Sequence, residues 1–224
     1  MEIISTQAIT LQSTLYKDKH AILKLFTEKE GVISVMLYGL SPKKPILFSL
    51  ASPITRSQVT YKRTSKDICQ LIDAQVTVSN LPFRKDLSTL RSASLMIKAL
   101  LLSQLPHKKA KKLFSLCVSY LDKMPTVDHA PNLAASFLLK LLLHEGLLKI
   151  SPTCNHCENP SVTIESGESL CHRHMTSSKN LFSSEELSQL FTLAYSRQYD
   201  DLFKKKLNAE MLDRVKKIFH EHYS

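Results

Sequence analysis

Glycine is scarce in this sequence. Its 224 residues include four glycines, at positions 31, 39, 146 and 167, and each stands alone. Neither G-x-x-x-x-G-K-[ST] nor G-x-G-x-x-G occurs. Loops that cradle phosphates need clustered glycines, because only then can several backbone N–H groups approach the phosphate oxygens. The sequence therefore argues against the standard ATPases and nicotinamide-dependent enzymes.

Long hydrophobic runs are also missing. No apolar run approaches the roughly 20 residues that a membrane-spanning helix requires. Residues 1–5 do not begin a secretory signal, because no basic segment precedes an apolar stretch. We therefore expect a cytoplasmic protein without a membrane partner.

Motifs of hydrolytic catalysis are absent as well. Neither of the two His-Glu pairs is followed by the second histidine of a zinc protease motif. The deaminase signature fails, because no H-x-E lies upstream and Pro152 is two residues before Cys154 rather than adjacent to it. No serine, histidine and aspartate have a recognisable catalytic spacing. The sequence predicts no catalytic residue, and we expect a protein that is not an enzyme.

The five cysteines fall into two groups. Cys69 and Cys117 stand alone in apolar surroundings, where we expect them to act as small buried hydrophobic residues. The other three form the pattern C-x2-C-x13-C-x2-H together with a histidine. This usage fits a reducing compartment better than a disulfide framework.

The C-x2-C-x13-C-x2-H pattern predicts a zinc site. One tight turn can present two thiolates to a metal ion, and a second pair across a short hairpin completes the tetrahedron. Four protein ligands leave no position for water or substrate, so we expect a structural zinc ion. The predicted ligands are Cys154, Cys157, Cys171 and His174, with His172 and His156 as alternatives for the fourth.

Positive charge dominates the composition. The 30 lysines and arginines exceed the 20 acidic residues and give a formal net charge of +10, which favours an anionic partner. Several of these cations are interleaved with aromatic residues. Single-stranded nucleic acid is held in this way, by cations on phosphates and rings on bases; a solvated basic surface over an aromatic core is the alternative. The candidate DNA-binding residues are Lys43, Lys44, Arg56, Lys62 and Arg63, interleaved with Tyr16, Phe26, Tyr38 and Tyr61.

The first 80 or so residues show the alternation of β-strands. Prolines punctuate the connections between these segments. Five or six short strands with polar turns predict a small closed barrel. The predicted strands cover residues 3–15, 21–26, 32–38, 46–50, 57–62 and 68–78.

After Pro82 the hydrophobic period changes from two to about 3.6 residues, which indicates helices. We expect Asn132 to cap one of them and a last helix to run over about residues 200–222. A zinc module at about residues 152–176 lies between helices. The sequence thus predicts an α+β protein of two domains, a β-barrel at 1–80 and a helical domain at 81–224 with an inserted zinc knuckle.

A capping box is predicted at the start of the fourth helix. Ser183 and Glu186 have the required spacing, and Phe182 before them can pack against the first turn. This signature predicts a helix that begins next to Ser183.

The order of motifs along the chain is characteristic. Thr27-Glu28 and Gly31 mark a turn, and the following strand ends at Gly39. In the helical part, the segment 137–142, Gly146, the Cys-x-x-Cys pair and Gly167 before the third cysteine follow in order. This order and spacing resemble the bacterial recombination mediator family RecO over nearly the full length.

The resemblance implies an N-terminal OB-fold and a helical C-terminal domain with a zinc knuckle. It also implies a role in DNA repair and homologous recombination through the RecF pathway, with a protein that works at the nucleoid. Members bind single- and double-stranded DNA and anneal complementary strands without a nucleotide. The implied partners are RecR, the acidic C-terminal tail of the single-stranded DNA-binding protein SSB and, indirectly, RecA, which is loaded onto SSB-coated DNA.

The chain departs from the family pattern at three places. Where the family has an Arg-rich stretch after the third strand, only Lys43 and Lys44 are present. The fourth zinc ligand of the family is usually cysteine, whereas this chain offers His174, and a Cys3His set still suits structural zinc. The paired glycines before the third cysteine are reduced to Gly167-Glu168. A zinc-ribbon protein that reads a specific duplex site is the alternative function.

Overall fold

The computed structural model describes residues 2–41, 43–64 and 67–223. The chain forms two compact units that divide between positions 125 and 126. The first contains a β-barrel followed by helices, and the second contains helices and a short β-hairpin. The predicted α+β class, with a barrel first and helices after it, is confirmed. Because two helices after the barrel belong to the first unit, the domain boundary between 80 and 81 stays a prediction.

The barrel is a closed five-stranded sheet in the order β1-β2-β3-β5-β4, in which β1 also pairs with β4. β3 and β5 are parallel, and the other neighbours are antiparallel. A small five-stranded barrel of this kind is the OB-fold, as expected. The strands are β1 (Ile3–Tyr16), β2 (His20–Thr27), β3 (Gly31–Tyr38), β4 (Arg56–Lys62) and β5 (Ile68–Val78).

The barrel core follows from the two-residue alternation of its strands. In β4, Ser57, Val59 and Tyr61 are buried, while the residues between them face outward. Cys69 of β5 is also part of this core. The alternation therefore decides which side chains of each strand are left on the outer face for a ligand.

The strand predicted over residues 46–50 is wrong. This segment forms a short helix, α1 (Pro45–Leu50). Proline is favoured in the first turn of a helix, where its missing N–H costs no hydrogen bond. Leu47 and Leu50, three residues apart, both pack against the barrel core, whereas Ile46 and Phe48 are exposed. The sequence pattern was ambiguous because a run this short fits either period.

Two longer helices complete the first unit, α2 (Leu87–Ser103) and α3 (Lys111–Lys123). Asp86 caps α2 by accepting a 2.7 Å hydrogen bond from the N–H of Thr89, and this bond lowers the pKa of the Asp86 carboxyl. Phe114 of α3 packs on Phe26 of the barrel, with ring centroids 5.6 Å apart. Cys117 of α3 is fully buried, as expected, and burial raises the pKa of its thiol to about 12.

The chain makes a close approach at Gly31, between the barrel and the segment before α3. Gly31 has a φ of +68°, and a Cβ at this position would lie 1.9 Å from the carbonyl oxygen of Lys108. Only glycine fits both the left-handed backbone and this contact.

The second unit is built around a helix that is buried on nearly all sides, α4 (Ala130–His144). A short hairpin and three further helices follow it. They are β6 (Thr163–Glu165), β7 (Glu168–Leu170), α5 (Ser184–Tyr195), α6 (Tyr199–Phe203) and α7 (Ala209–His220). In the described part of the chain, every helix is too short or too polar to cross a lipid bilayer.

Asn132 does not cap a helix, contrary to the prediction. It lies inside α4, where its amide donates to the carbonyls of Leu202 and Lys205 at 2.6 and 2.8 Å. Its side-chain oxygen accepts from the N–H of Leu207 at 3.0 Å. These bonds satisfy backbone groups at the end of α6 and in the segment that follows it, and buried polar groups need such partners.

The single last helix predicted over residues 200–222 is also wrong. The chain leaves the helix after Phe203 and starts again at Ala209. Asn208 caps the new start by accepting from the N–H of Met211 at 2.7 Å. A side chain that caps a helix competes with continuation of the preceding one, which explains the break.

The capping box is confirmed. The hydroxyl of Ser183 accepts from the N–H of Glu186 at 3.2 Å, and the Glu186 carboxylate accepts from the N–H of Ser183 at 2.7 Å. Arg214 of α7 donates to the same carboxylate at 3.0 Å and lies over the ring of Phe182. The hydrogen bond from the N–H of Ser183 lowers the pKa of the Glu186 carboxyl most, and the charge of Arg214 adds to this effect. Together they outweigh the partial burial of Glu186, which alone would raise the pKa.

Candidate nucleic-acid interface and metal centre

Three thiols and one imidazole converge in the second unit. The ligand atoms of Cys154, Cys157, Cys171 and His174 all lie within 4.8 Å of one another. The two knuckles are held by backbone bonds: the N–H of Cys157 donates to the carbonyl of Cys154 at 3.3 Å, and that of His174 to the carbonyl of Cys171 at 3.0 Å. The two-residue gap within each pair thus forms a tight turn that brings the two ligand atoms of the pair together.

The separations of these atoms match a zinc tetrahedron. With Zn–S of about 2.3 Å and Zn–N of about 2.0 Å, two sulfurs are about 3.8 Å apart and a sulfur and a nitrogen about 3.5 Å apart. The Sγ atoms of Cys157 and Cys171 are 3.6 Å apart. Nδ1 of His174 lies 3.3, 3.5 and 3.6 Å from the three sulfurs. The donor set and its dimensions fit a structural zinc ion.

The pKa is lowered for two of the three thiols, whereas burial and the neighbouring sulfurs raise the pKa of Cys157. Desolvation opposes ionisation of Cys154, but the N–H groups of His156 and Cys171 outweigh it and lower the pKa of the thiol to about 6. The pKa of Cys171 is lowered in the same way, by backbone N–H groups that outweigh desolvation. Contact with these sulfurs raises the pKa of His174. Thiolates are the form that binds metal.

The competing histidines are placed outside the cluster. Nε2 of His156 lies 2.9 Å from a carboxylate oxygen of Glu168, and the ring is 5.5 Å from that of His174. His172 is exposed and is not among the clustered ligands. Of the three histidines, His174 is the one whose ring nitrogen, Nδ1, lies with the three sulfurs.

On the first unit, three rings form a row across the outer face of the barrel. His20 pairs with Tyr16 of β1 on one side and with Tyr38 of β3 on the other. Residues paired in this way point to the same face of a sheet. The rings of His20 and Tyr38 meet edge to face with centroids 5.1 Å apart. Tyr16 and Tyr38 are 44% and 55% exposed, so both rings are accessible to a base.

Lysines surround this aromatic row, which we define as Tyr16, His20 and Tyr38. Lys17 lies 5.5 Å from the ring centroid of Tyr16. Lys19 accepts a backbone bond from Leu40, which brings the β1–β2 turn next to the segment that carries Lys43 and Lys44. The Lys44 ammonium lies beside Gly39, whose N–H donates to Nδ1 of His20.

Lys43 and Lys44 are both exposed. Within the described residues, neither ammonium group has a carboxylate partner. Asp18, in the turn between Lys17 and Lys19, contributes one negative charge to the same region. The net local charge is positive, and the two predicted lysines are available to phosphates.

Lys62 lies on the same outer face, one row further along. It pairs with Gln70 of β5, which pairs with Met36 of β3, two residues from Tyr38. The register therefore places Lys62 on the outer face that also carries the aromatic row, and its contact with DNA stays a prediction.

The two predicted arginines have carboxylate partners. Arg63 pairs with Glu30 and, at 3.5 Å, with Glu2. Its hydrogen bond with Glu30 raises the pKa of the guanidinium. Arg56 pairs with Asp122 of α3. Contact of either arginine with DNA stays a prediction.

The four aromatic residues that the sequence singled out divide between surface and core. Phe26 and Tyr61 are fully buried, and burial, then the charge of Glu30, raises the pKa of the Tyr61 hydroxyl. Tyr16 and Tyr38 are on the surface. His20, Lys17 and Lys19 were not predicted. The signal that identifies them is the β1–β2 register, which the alternation of a single strand does not supply.

Comparison with known proteins finds one family over nearly the whole chain. The family models described as Recombination protein O N terminal and Recombination protein O C terminal match residues 1–80 and 84–224. The chain is similar to the DNA repair protein RecO of Chlamydia muridarum, 28% identical over 206 residues, which cover 90% of this chain and 87% of the relative. It is also 26% identical to that of Chlamydia pneumoniae, over 89% of this chain and 80% of the relative.

A more distant relative gives the same result. The DNA repair protein RecO of Chlorobium phaeobacteroides is 28% identical over 75% of this chain and 67% of its own length. The barrel lies within the first family match, and the Cys3His cluster lies within the second. The chain therefore belongs to the RecO family of DNA repair and recombination proteins.

Proposed function

We propose that the protein is a non-enzymatic mediator of homologous recombination that holds DNA on the outer face of its barrel. The observation that carries the proposal is the aromatic row with free lysines beside it. Cations bind phosphates and release counterions, while exposed rings stack on unpaired bases. Neither contact reads sequence, so binding is expected to be largely independent of sequence.

In this proposal, Lys43 and Lys44 hold the backbone beside the row, and Lys62 extends the contact along the same face. Arg56 and Arg63 are secondary contacts, available when they exchange a carboxylate for a phosphate. Single strands use both the cations and the rings, whereas duplexes use only the cations, because their bases are already stacked. Annealing follows when two complementary strands are held at low sequence preference.

The Cys3His cluster has a structural role in the proposal. Zinc bound there would tie β6 and β7 to the turn before them, with no open position for substrate. The RecO family relationship further supports RecR and the acidic SSB tail as partners, with RecA loaded indirectly onto SSB-coated DNA. The helical unit is the proposed receiver of the SSB tail, and the cytoplasm, at the nucleoid, is the proposed location.

The experiment that tests this function is annealing of two complementary strands of arbitrary sequence, each coated with SSB, without a nucleotide. We expect the protein to accelerate annealing and added salt to remove the acceleration. A double variant, Lys43→Ala with Lys44→Ala, should slow annealing of every sequence alike. Lys111→Ala with Lys112→Ala removes the same charge from α3, where Lys111 pairs with Glu28 at 3.3 Å, and serves as the control.

Two results would contradict the proposal. One is no acceleration by folded, zinc-loaded protein. The other is acceleration or binding confined to one sequence, which the zinc-ribbon regulator predicts through a large ratio of specific to random affinity.

A further inference from the structure

A pocket of about 380 Å³ opens on the first unit between α1 and the segment that follows β5. Pro45 and Phe48 of α1 form one wall, and Leu81 forms another. Phe48 is 56% exposed and Leu81 is 62% exposed, although large apolar side chains are usually covered. The pocket is therefore an apolar slot with an accessible aromatic ring.

Polar groups line the same slot. In the described part of the chain, the hydroxyls of Ser49 and Ser79 have no hydrogen-bond partner. The amide nitrogen of Asn80 is engaged with the carbonyl of Pro53 at 3.2 Å, which leaves its side-chain oxygen as an acceptor. A serine hydroxyl can donate or accept, so these groups can meet the edge of any base.

A cation stands at the rim. Arg84 lines the pocket, is exposed and has no carboxylate partner among the described residues. On the other side, Lys44 directly precedes Pro45. Positive groups thus border a slot that is lined by an aromatic ring and hydroxyls. A nucleotide has a flat base that suits the ring and the hydroxyls, and an anionic phosphate that suits the cations.

We propose that this pocket takes one nucleobase of a DNA strand held by the barrel. The base stacks on Phe48, its edge meets Ser49 and Ser79, and Arg84 contacts a neighbouring phosphate. This inference rests on the proposed function, because the strand reaches the pocket past Lys43 and Lys44. A purely aliphatic peptide would leave the two hydroxyls without partners, so the lining favours a base.

The test is photocrosslinking of the full chain to a single strand of about 12 nucleotides, within the site size of one OB-fold, that carries 5-iodouracil at varied positions. Crosslinked peptides are identified by mass spectrometry. We expect crosslinks at Phe48 in addition to those at Tyr16 and Tyr38. Phe48→Ala should remove the first without the others and weaken strand binding about tenfold, the effect of one lost stack.

Two further variants sharpen the test. Phe191→Ala removes another exposed phenylalanine, in the second unit, and should leave crosslinks and affinity unchanged. Arg84→Ala alters the rim without touching the ring and should reduce the Phe48 crosslink. Thermal unfolding of each variant confirms that the fold is retained.

The outcomes separate the pocket from the proposed function. Crosslinks at Tyr16 and Tyr38 with none at Phe48, and a Phe48→Ala variant of unchanged affinity, would overturn the pocket assignment and leave the barrel interface intact. A wild-type protein that binds no strand at all would overturn the proposed function, and the pocket assignment with it.

Discussion

Arg56 of β4 and Asp122 of α3 form a two-point ion pair. Nη1 donates to Oδ2 at 3.0 Å, and Nη2 donates to Oδ1. The Arg56 side chain is only 18% exposed, whereas that of Asp122 is 54% exposed. The fork of the guanidinium matches the carboxylate, so the pair fixes the helix against the barrel wall as well as compensating the charge.

Replacing Asp122 by asparagine tests both what the ion pair contributes to stability and whether it keeps Arg56 from DNA. We expect Asp122→Asn to lower the free energy of unfolding by about 1 kcal/mol, since a partly exposed ion pair is lost. The released guanidinium should then gain a phosphate and raise the salt slope of DNA binding by about one. Urea unfolding measures the change in free energy of unfolding, and DNA binding at several salt concentrations measures the salt slope. An unchanged salt slope would show that Arg56 does not contact DNA.

Tyr38 should matter more for single strands than for duplexes. Tyr38→Ala removes an exposed ring that only an unpaired base can use, and we expect single-strand affinity to fall by about 1–2 kcal/mol. Duplex affinity should change little. Tyr38→Phe keeps the ring and should bind like wild type. Equal losses for both DNA forms would argue against stacking.

Gly31 and Gly146 form a matched pair for backbone effects. Both have positive φ, +68° and +74°, but only at Gly31 would a Cβ meet another backbone, 1.9 Å from an oxygen. Gly146→Ala should cost about 1 kcal/mol, the price of a left-handed alanine. Gly31→Ala should cost clearly more, because the chain must also move. Denaturant unfolding compares them, and equal losses would contradict the close approach.

The capping box predicts a pH dependence of stability. The pKa of Glu186 is lowered in the folded state, chiefly by the N–H of Ser183. The stabilisation of the fold by the ionised Glu186 carboxylate is therefore complete above the ordinary carboxyl pKa of about 4.3. It is lost as the pH falls through the lowered pKa of the folded state. Glu186→Gln should destabilise the protein by about 1 kcal/mol at neutral pH. The difference between the two proteins should shrink towards acid pH, and a constant difference would contradict the assignment.

Metal removal should affect the zinc module rather than the barrel. The core of the module is small, with Cys154, Leu170 and Cys171 buried in it, so we expect the hairpin to depend on the metal. Cys157→Ser should lose zinc and expose residues 152–176 to proteolysis. Single-strand binding by the first unit should persist.

Cys117→Ala supplies the control for this prediction. It removes a buried thiol that is not in the cluster, so the zinc content, measured by elemental analysis, should not change. Strand binding that disappears together with zinc would contradict a purely structural role.

The sequence was sufficient to predict features whose geometry is determined by the spacing of residues that are close in the chain. The C-x2-C and C-x2-H spacings fix two turns, and the structure brings all four ligands together. Ser183 and Glu186 are three residues apart and meet in one helical turn. Alternation in the strands predicted the barrel. Each of these inferences depends on residues that are close in the chain.

Signals that depend on distant partners were not sufficient. Asn132 was interpreted as a cap because its bonds to a segment about 70 residues away are invisible in sequence. His20 was missed because the aromatic row appears only when β1, β2 and β3 are in register. Nothing in the sequence shows that Arg56 and Arg63 have acidic partners. Short runs such as Pro45–Leu50 remained ambiguous because two periods fit them.

The most direct measurement is the salt dependence of single-strand binding by the wild type and by the Lys43→Ala, Lys44→Ala double variant. The account predicts affinity that falls steeply with salt for strands of any sequence, and a slope that is smaller by about 1.4 in the variant, since each phosphate contact on a single strand contributes about 0.7. The Lys111→Ala, Lys112→Ala control should keep the wild-type slope. Equal slopes in all three proteins, or binding that depends on one sequence, would contradict the account.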